Sequence, residues 1–472
     1  MIRLLLQLPI PIDLTAPPVE AMAEHATPSR LSIFEGYIGV LIVAFLVSLF
    51  AAPVMRRLAV ANGVIDRPSE ARKVHRMPIA YLGGVAVYLG ILAGIFFSYI
   101  AAKFGYIESD GQNILLQWHH TKHLNQEGLP APVPLSILLG LTVIMLVGVI
   151  DDVSGISPRV KIGGQLIAAA ALAIDNVGVQ LASGIMLPAA KLLHIPVTMF
   201  NGVETLMVSI PLPVAIGGVN AIPIDFIYWV GTAIIAVSVL GLCNASNLID
   251  GLDGLLSGTT AITAIGLLVV ALGLALVDDG TRDAQRIILC LALLGACLGF
   301  LPHNFNPATI FLGDAGSLML GYLTCVIILS LGDTGKTFLV AAGLIIYAVP
   351  IMDTSLAIVR RKMEGKSISD ADDQHLHHML KRSLGVKGAV LALYGIAASF
   401  AVLGASVTLL RARMIYFLTM FVAAFIGVTA IKVARKKAIE AQAAAFDSRQ
   451  AKTPAPAAER AAPAQPAANG RG

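Results

Sequence analysis

The chain has 472 residues, of which 57% are hydrophobic and only 13% charged, with a mean hydropathy of +0.80. A soluble protein of this length needs far more polar side chain to cover its surface, so composition excludes the soluble classes and leaves an all-α polytopic membrane protein. The formal charge of +4 reports topology and argues for no nucleic-acid partner.

Residues 1–32 read as an N-terminal outer or interfacial segment. The apolar run in MIRLLLQLPIPIDL is broken by Gln7, Pro9 and Pro11, and no small-residue cleavage site follows it. Residues 33–432 form a transmembrane domain of about eleven helices, each run being near the ~20 residues that cross a bilayer. The predicted spans are 33–54, 79–101, 134–150, 162–182, 224–243, 256–277, 286–302, 310–331, 337–358, 387–409 and 414–432. The fourth is rich in Ala and Gly and carries Asp175. Residues 433–472 turn Ala/Pro-rich without apolar periodicity and read as a disordered cytoplasmic tail.

Lys and Arg gather in 55–78, in 359–386 and in the KVARKK that opens the tail. In an eleven-span chain these all lie on one face, which the positive-inside rule makes cytoplasmic, leaving the N-terminus outside. Cys243, Cys290, Cys297 and Cys325 sit in or beside apolar runs without paired spacing, so reduced thiols packed as small hydrophobes are expected.

Five loops with unusual chemistry then fall on that same face: KVHRMPIAYLGG (73–84), GVIDDVSGISPRVKIGGQ (148–165), NASNLIDGLDGL (244–255), HNFNPATIFLGDAGS (303–317) and DADDQHLHHML (370–380). One site assembled from all five is the economical reading. Asp151 and Asp152 end an apolar run, where the helix dipole disfavours acids and where adjacent carboxylates repel unless a cation or a proton neutralises them. Asn244, Asn247, Asp250 and Asp253 recur every three residues, and Gly251 and Gly254, one after each Asp, leave room for a nucleotide to approach. Asp314 lies among small residues that let a ligand or metal approach closely. His375, His377 and His378 resemble a zinc set, yet so short a run ligates a tetrahedral ion poorly and has no cysteine near it. Beside carboxylates they suit phosphate donation or acid/base work. The outer WHHTKH (118–123) has no carboxylate cluster and reads as solvated. Hard carboxylates suit Mg²⁺ or Mn²⁺, and Lys73, Arg159 and Lys161 add cations, together an inventory for handling a pyrophosphate.

In combination, DDVSG, NASNLIDGLDGL, FNPATIFLGDAGS and the HLHH loop resemble the polyprenyl-phosphate N-acetylhexosamine-1-phosphate transferases, over roughly residues 35–435. HLHH, with Leu376 interposed, is more similar to the undecaprenyl-phosphate GlcNAc-1-phosphate branch than to the phospho-MurNAc-pentapeptide transferases. Ala80 stands where the family often has a second proline, and Asp373 where it commonly has a basic or neutral residue. The resemblance implies a multi-pass protein of the bacterial inner membrane. It would move HexNAc-1-phosphate from a UDP-N-acetylhexosamine to polyprenyl (undecaprenyl) phosphate and release UMP, in the first membrane step of a cell-envelope polysaccharide. It further implies Mg²⁺ held by Asp314 and Asp151. Asp151 and Asp152 would lie by the lipid phosphate, and Asn244, Asn247, Asp250, Asp253 and Asn304 would shape the nucleotide pocket. Lys73, Arg159 and Lys161 would hold phosphates, and the three histidines would line the donor site. A homodimer is a further expectation. The rival class is an ion-coupled transporter, whose acids tend to lie near the bilayer midplane on broken helices; here they gather at span ends.

Overall fold

The computed structural model describes residues 32–66, 78–103, 133–200, 203–216, 219–276, 282–363, 365 and 375–410. Twelve helices run in order among them: α1 (Ser32–Ala61), α2 (Gly83–Lys103), α3 (Leu135–Ser154), α4 (Pro158–Ile174), α5 (Leu181–Leu192), α6 (Phe226–Ile249), α7 (Leu255–Ala275), α8 (Asp283–Asn304), α9 (Gly313–Ser330), α10 (Thr337–Ile346), α11 (Ala348–Met363) and α12 (Leu376–Leu410). Eight of these, α1, α2, α3, α6, α7, α8, α9 and α12, are long and apolar enough to cross a membrane. Helices α8 and α9 form the buried centre. Their small residues (Gly295, Gly299, Gly316, Gly321) allow neighbouring backbones to approach, which is how helices associate where lipid supplies no hydrophobic drive.

Two predicted spans differ in form. The run 337–358 is α10 and α11, bent by 81° at Tyr347, with Pro350 in the first turn of α11, where a proline is tolerated. The fourth run is α4, of 17 residues, then a turn and the separate α5. Helix α4 nonetheless matches the height of α9. At its start Lys161 meets Asp314, the second residue of α9, and just past its end the Gly178 amide donates to Asp333, beyond the end of α9. The eleventh predicted span and the terminal segments 1–31 and 433–472 lie outside the described residues, as does WHHTKH.

Strands, which the all-α reading did not anticipate, pair as three antiparallel ribbons: β1 (Ile65–Asp66) with β2 (Ile79–Ala80), β3 (Thr198–Phe200) with β4 (Val203–Thr205), and β5 (Met207–Ile216) with β6 (Val219–Asp225). The last two, with α5, build the segment opposite the motif loops. At that far end Arg282 pairs with Asp333 (2.6 Å) and donates to the Asp175 carbonyl, while Arg286 pairs with Asp283 (2.7 Å) and donates to the Ser330 carbonyl. These bonds tie the ends of α4 and α9 to the start of α8. All four cysteines are free and buried.

Candidate active site

The motif loops meet at one end of the bundle. Asp151 and Asp152 occupy the last turn of α3 but face different partners, which relieves their mutual repulsion. Asp151 accepts from the Ile156 amide (2.9 Å) and pairs with Lys161 (2.7 Å). Asp152 reaches α9, where its two oxygens accept the backbone amides of Asp314 (2.7 Å) and Ala315 (3.1 Å). The acid at the negative end of one helix thus caps the positive end of another. Gly148, a turn earlier in α3, packs directly on Ala315; a Cβ there would collide with the Ala315 backbone.

Asp314 is the hub. One oxygen accepts from Asn247 (2.9 Å), and the other lies 2.5 Å from the Lys161 ammonium. Asn247 also donates to Ser317 (2.9 Å), which no motif argument had singled out. Asp151 and Asp314 therefore converge on a single cation, the Lys161 Nζ. Asp250 lies near them, between the ends of α6 and α7. Burial, with the negative charges of Asp314, Asp152 and Asp253, pushes its carboxyl up to about 8.

The three-residue stripe divides its labour. Asn244 turns to α4 and donates to Gln165 (3.0 Å) and to the Leu240 carbonyl (2.8 Å). Asp253 braces the loop before α9, accepting from the Asn306 side chain (2.8 Å) and the Ala308 amide (3.0 Å). Asn304 is buried at 3% exposure, accepts from the Gly254 amide and Ser257, and donates to the Ile310 carbonyl. Asp253 and Asn304 thus spend these bonds on the loops that shape the site. The first motif loop joins through Ala80, whose carbonyl accepts from the Phe311 amide (2.9 Å). Arg159 is exposed in the first turn of α4. Lys73 and Asp373 lie outside the described residues.

His375 and His377, at the start of α12, are buried, whereas His378 is half-buried. Both buried rings turn Nδ1 toward Asp353, at 3.1 and 3.3 Å. Asp353 stands outside the five motif loops. Its signal was present all the same, a lone carboxylate inside the apolar run 337–358, and an ionisable residue within a span is a functional candidate by default.

The donor set fits a small divalent cation. Asp151 and Asp314 are hard oxygen ligands already gathered on one positive charge, and Asp152 and Asp250 place further carboxyl oxygens beside them.

Residues 134–332 match the family described as glycosyl transferase family 4. A relative from Bacillus subtilis (strain 168), named a probable undecaprenyl-phosphate N-acetylglucosaminyl 1-phosphate transferase, is 30% identical over 371 residues, covering 77% of this chain and 83% of the relative. The decaprenyl-phosphate N-acetylglucosaminephosphotransferase of Mycolicibacterium smegmatis is 32% identical over 75% of this chain and 77% of its own. A phospho-N-acetylmuramoyl-pentapeptide-transferase from Bacillus cytotoxicus is 26% identical over 72% of this chain and 87% of its own. An acidic end built from five loops of a membrane bundle and relatives matched over most of their length lead to one conclusion: the chain belongs to the polyprenyl-phosphate N-acetylhexosamine-1-phosphate transferases of glycosyl transferase family 4.

Proposed function

We propose that the protein transfers GlcNAc-1-phosphate from UDP-GlcNAc to undecaprenyl phosphate, giving undecaprenyl-pyrophosphoryl-GlcNAc and UMP, at the cytoplasmic face of a bacterial inner membrane. The observation that carries this is the convergence of Asp151 and Asp314 on one cation at the mouth of an apolar bundle, where a soluble nucleotide can meet a lipid. A lipid phosphate oxygen forms the new bond to the β-phosphorus of the donor. The bond from that phosphorus to the bridging oxygen breaks, and the electron pair leaves with UMP. A phosphate monoester loses its second proton near ~6, so the acceptor is already largely dianionic at neutral pH and needs no obligatory base. Asp151 therefore serves to place charge more than to remove a proton.

Asp314 and Asp151 would hold Mg²⁺, which when bound supplies neutralisation of the pyrophosphate and of the departing UMP. Asn247 orients Asp314 through one oxygen, and Asp152 fixes the backbone on which Asp314 stands. Lys161, with Arg159 and Lys73, supplies positive charge for phosphate oxygens. The two GlcNAc-1-phosphate transferases match at 30% and 32% identity over 77% and 75% of the chain, whereas pentapeptide transferases match at 32% and 34% over only 50% and 34% of it, or at 26% over 72%, and this favours the GlcNAc donor.

Purified protein given UDP-GlcNAc, undecaprenyl phosphate and Mg²⁺ should release UMP, with UDP-MurNAc-pentapeptide competing poorly. Preferential use of the pentapeptide donor would reassign the branch. No UMP release from either donor would remove the reading.

A further inference from the structure

Asp353 is the most costly carboxylate to place among those the mechanism leaves unused. It is 1% exposed, and burying a charge demands compensation. Among the described residues its hydrogen bonds go to the start of α12: the Leu376 amide donates to Oδ1 (2.7 Å), and His375 Nδ1 and His377 Nδ1 share Oδ2. An ionised carboxylate only accepts, so both Nδ1 atoms carry the proton. The tautomer of each ring is fixed, and both Nε2 atoms point away from α11. The two rings stack with centroids 5.3 Å apart and planes 19° from parallel.

The far edge of His377 ends on the 244–255 segment. A Cβ built on Gly251 would lie 2.5 Å from His377 Nε2, so the space that glycine leaves is filled by an imidazole, not by a nucleotide. Gly251 adjoins Asp250. A continuous line therefore runs from the bent span through Asp353 and His377 to the wall beside the Asp314 hub. The ring centroid of His378, which is half-buried, lies 4.3 Å from that of His377.

We propose that Asp353 is a positioning residue for the donor half of the site: it holds His375 and His377 as Nδ1–H tautomers and seats His377 on Gly251, beside Asp250. The inference rests on the proposed donor for its kinetic part only. Two simpler roles compete. As a plain helix cap, Asp353 would need only the Leu376 amide. As a metal ligand, it would share an ion with His375 and His377, whose ligand atoms all lie within 4.8 Å of one another.

Asp353→Asn separates these, because Asn caps as well as Asp but lacks the charge and offers a single acceptor oxygen. Asp353→Glu keeps the carboxylate. For Asp353→Asn the expected result is a KM for UDP-GlcNAc raised about tenfold or more, with the KM for undecaprenyl phosphate within about twofold of wild type, and partial recovery in Asp353→Glu. Nitrogen-15 spectra of histidine-labelled protein should show Nδ1–H signals from His375 and His377 in the wild type and lose at least one of them in Asp353→Asn; this readout stands even if UDP-GlcNAc proves not to be the donor. Wild-type kinetics and unchanged histidine spectra in Asp353→Asn would reduce Asp353 to a cap. One equivalent of zinc in the purified wild type, absent from the variant, would make the trio a metal site. Either result overturns the proposal.

Discussion

At Lys161 one ammonium touches both Asp151 and Asp314, 26% exposed against partners at 14% and 25%. Such a half-shielded pair contributes between an exposed ion pair and a buried one, about 1–2 kcal/mol after screening. Lys161→Gln leaves the two carboxylates facing each other, so its melting temperature in EDTA should fall below wild type. Mg²⁺ should then raise it by more than it raises wild type, because no ammonium competes for the same oxygens. Equal Mg²⁺ shifts in the two proteins would place the ion elsewhere. Asp250 makes a pH-dependent case. An ordinary aspartate ionises near ~4, whereas this carboxyl is pushed up to about 8. The folded protein keeps a proton that the unfolded chain has already released, so this contribution to stability is full below ~4 and is lost as pH rises through about 8. Without divalent ions, wild type should therefore lose more melting temperature between pH 6 and pH 9 than Asp250→Asn does. Parallel decline would mean that Asp250 is already ionised at pH 6.

Helix α9 owes its starting position to helix α3. Asp152 supplies the cap that α9 lacks locally, from 162 residues away, and Gly148 lets α3 lie against Ala315. Asp152→Ala should cost about 1–2 kcal/mol as a lost cap and lower transfer about 10–100-fold through misplacement of Asp314, with Asp152→Asn intermediate in both. Gly148→Ala should keep the helical circular dichroism yet lose transfer, since the displaced backbone carries Asp314; wild-type turnover would show that α9 can shift without consequence. What the sequence made legible follows the same division. Apolar run length reveals most helices, and the alternation of faces puts Asp151, Asp250 and Asp314 at one end without any contact being known. The bend at Tyr347 was missed because run length alone does not register Pro350. The β5–β6 ribbon was missed although Gly217–Gly218 between two β-rich runs is a hairpin signal. The partner of Asp152 had no local signal at all, because its amides belong to another helix, and an isolated stripe such as 244–255 cannot say that Asn244 and Asp253 turn to different neighbours.

Across the whole molecule the two ends of the bundle differ in how they treat charge. The far end closes ion pairs that are largely out of solvent, Arg282 on Asp333 and Arg286 on Asp283, as a face with a structural task would. Among the described residues, the near end gathers the carboxyls of Asp151, Asp152, Asp250 and Asp314 around Lys161, more acid groups than this one ammonium pairs, which suits a place that an incoming cation can reach. Exposed Arg56 and Arg57, in the last turns of α1, stand at that same end, so the positive-inside rule and the need for a soluble nucleotide donor point to one compartment. The buried thiols make this testable. Cys243, Cys290, Cys297 and Cys325 are all inaccessible, so an impermeant maleimide should leave the wild type unlabelled. Asn62→Cys, exposed just past α1 at the near end, should label in inside-out vesicles and not in intact cells. Leu192→Cys, 78% exposed at the end of α5, should show the opposite pattern. The reverse result for both would turn the acidic cluster away from the compartment where nucleotide sugars are made, and the proposed reaction would lose its donor.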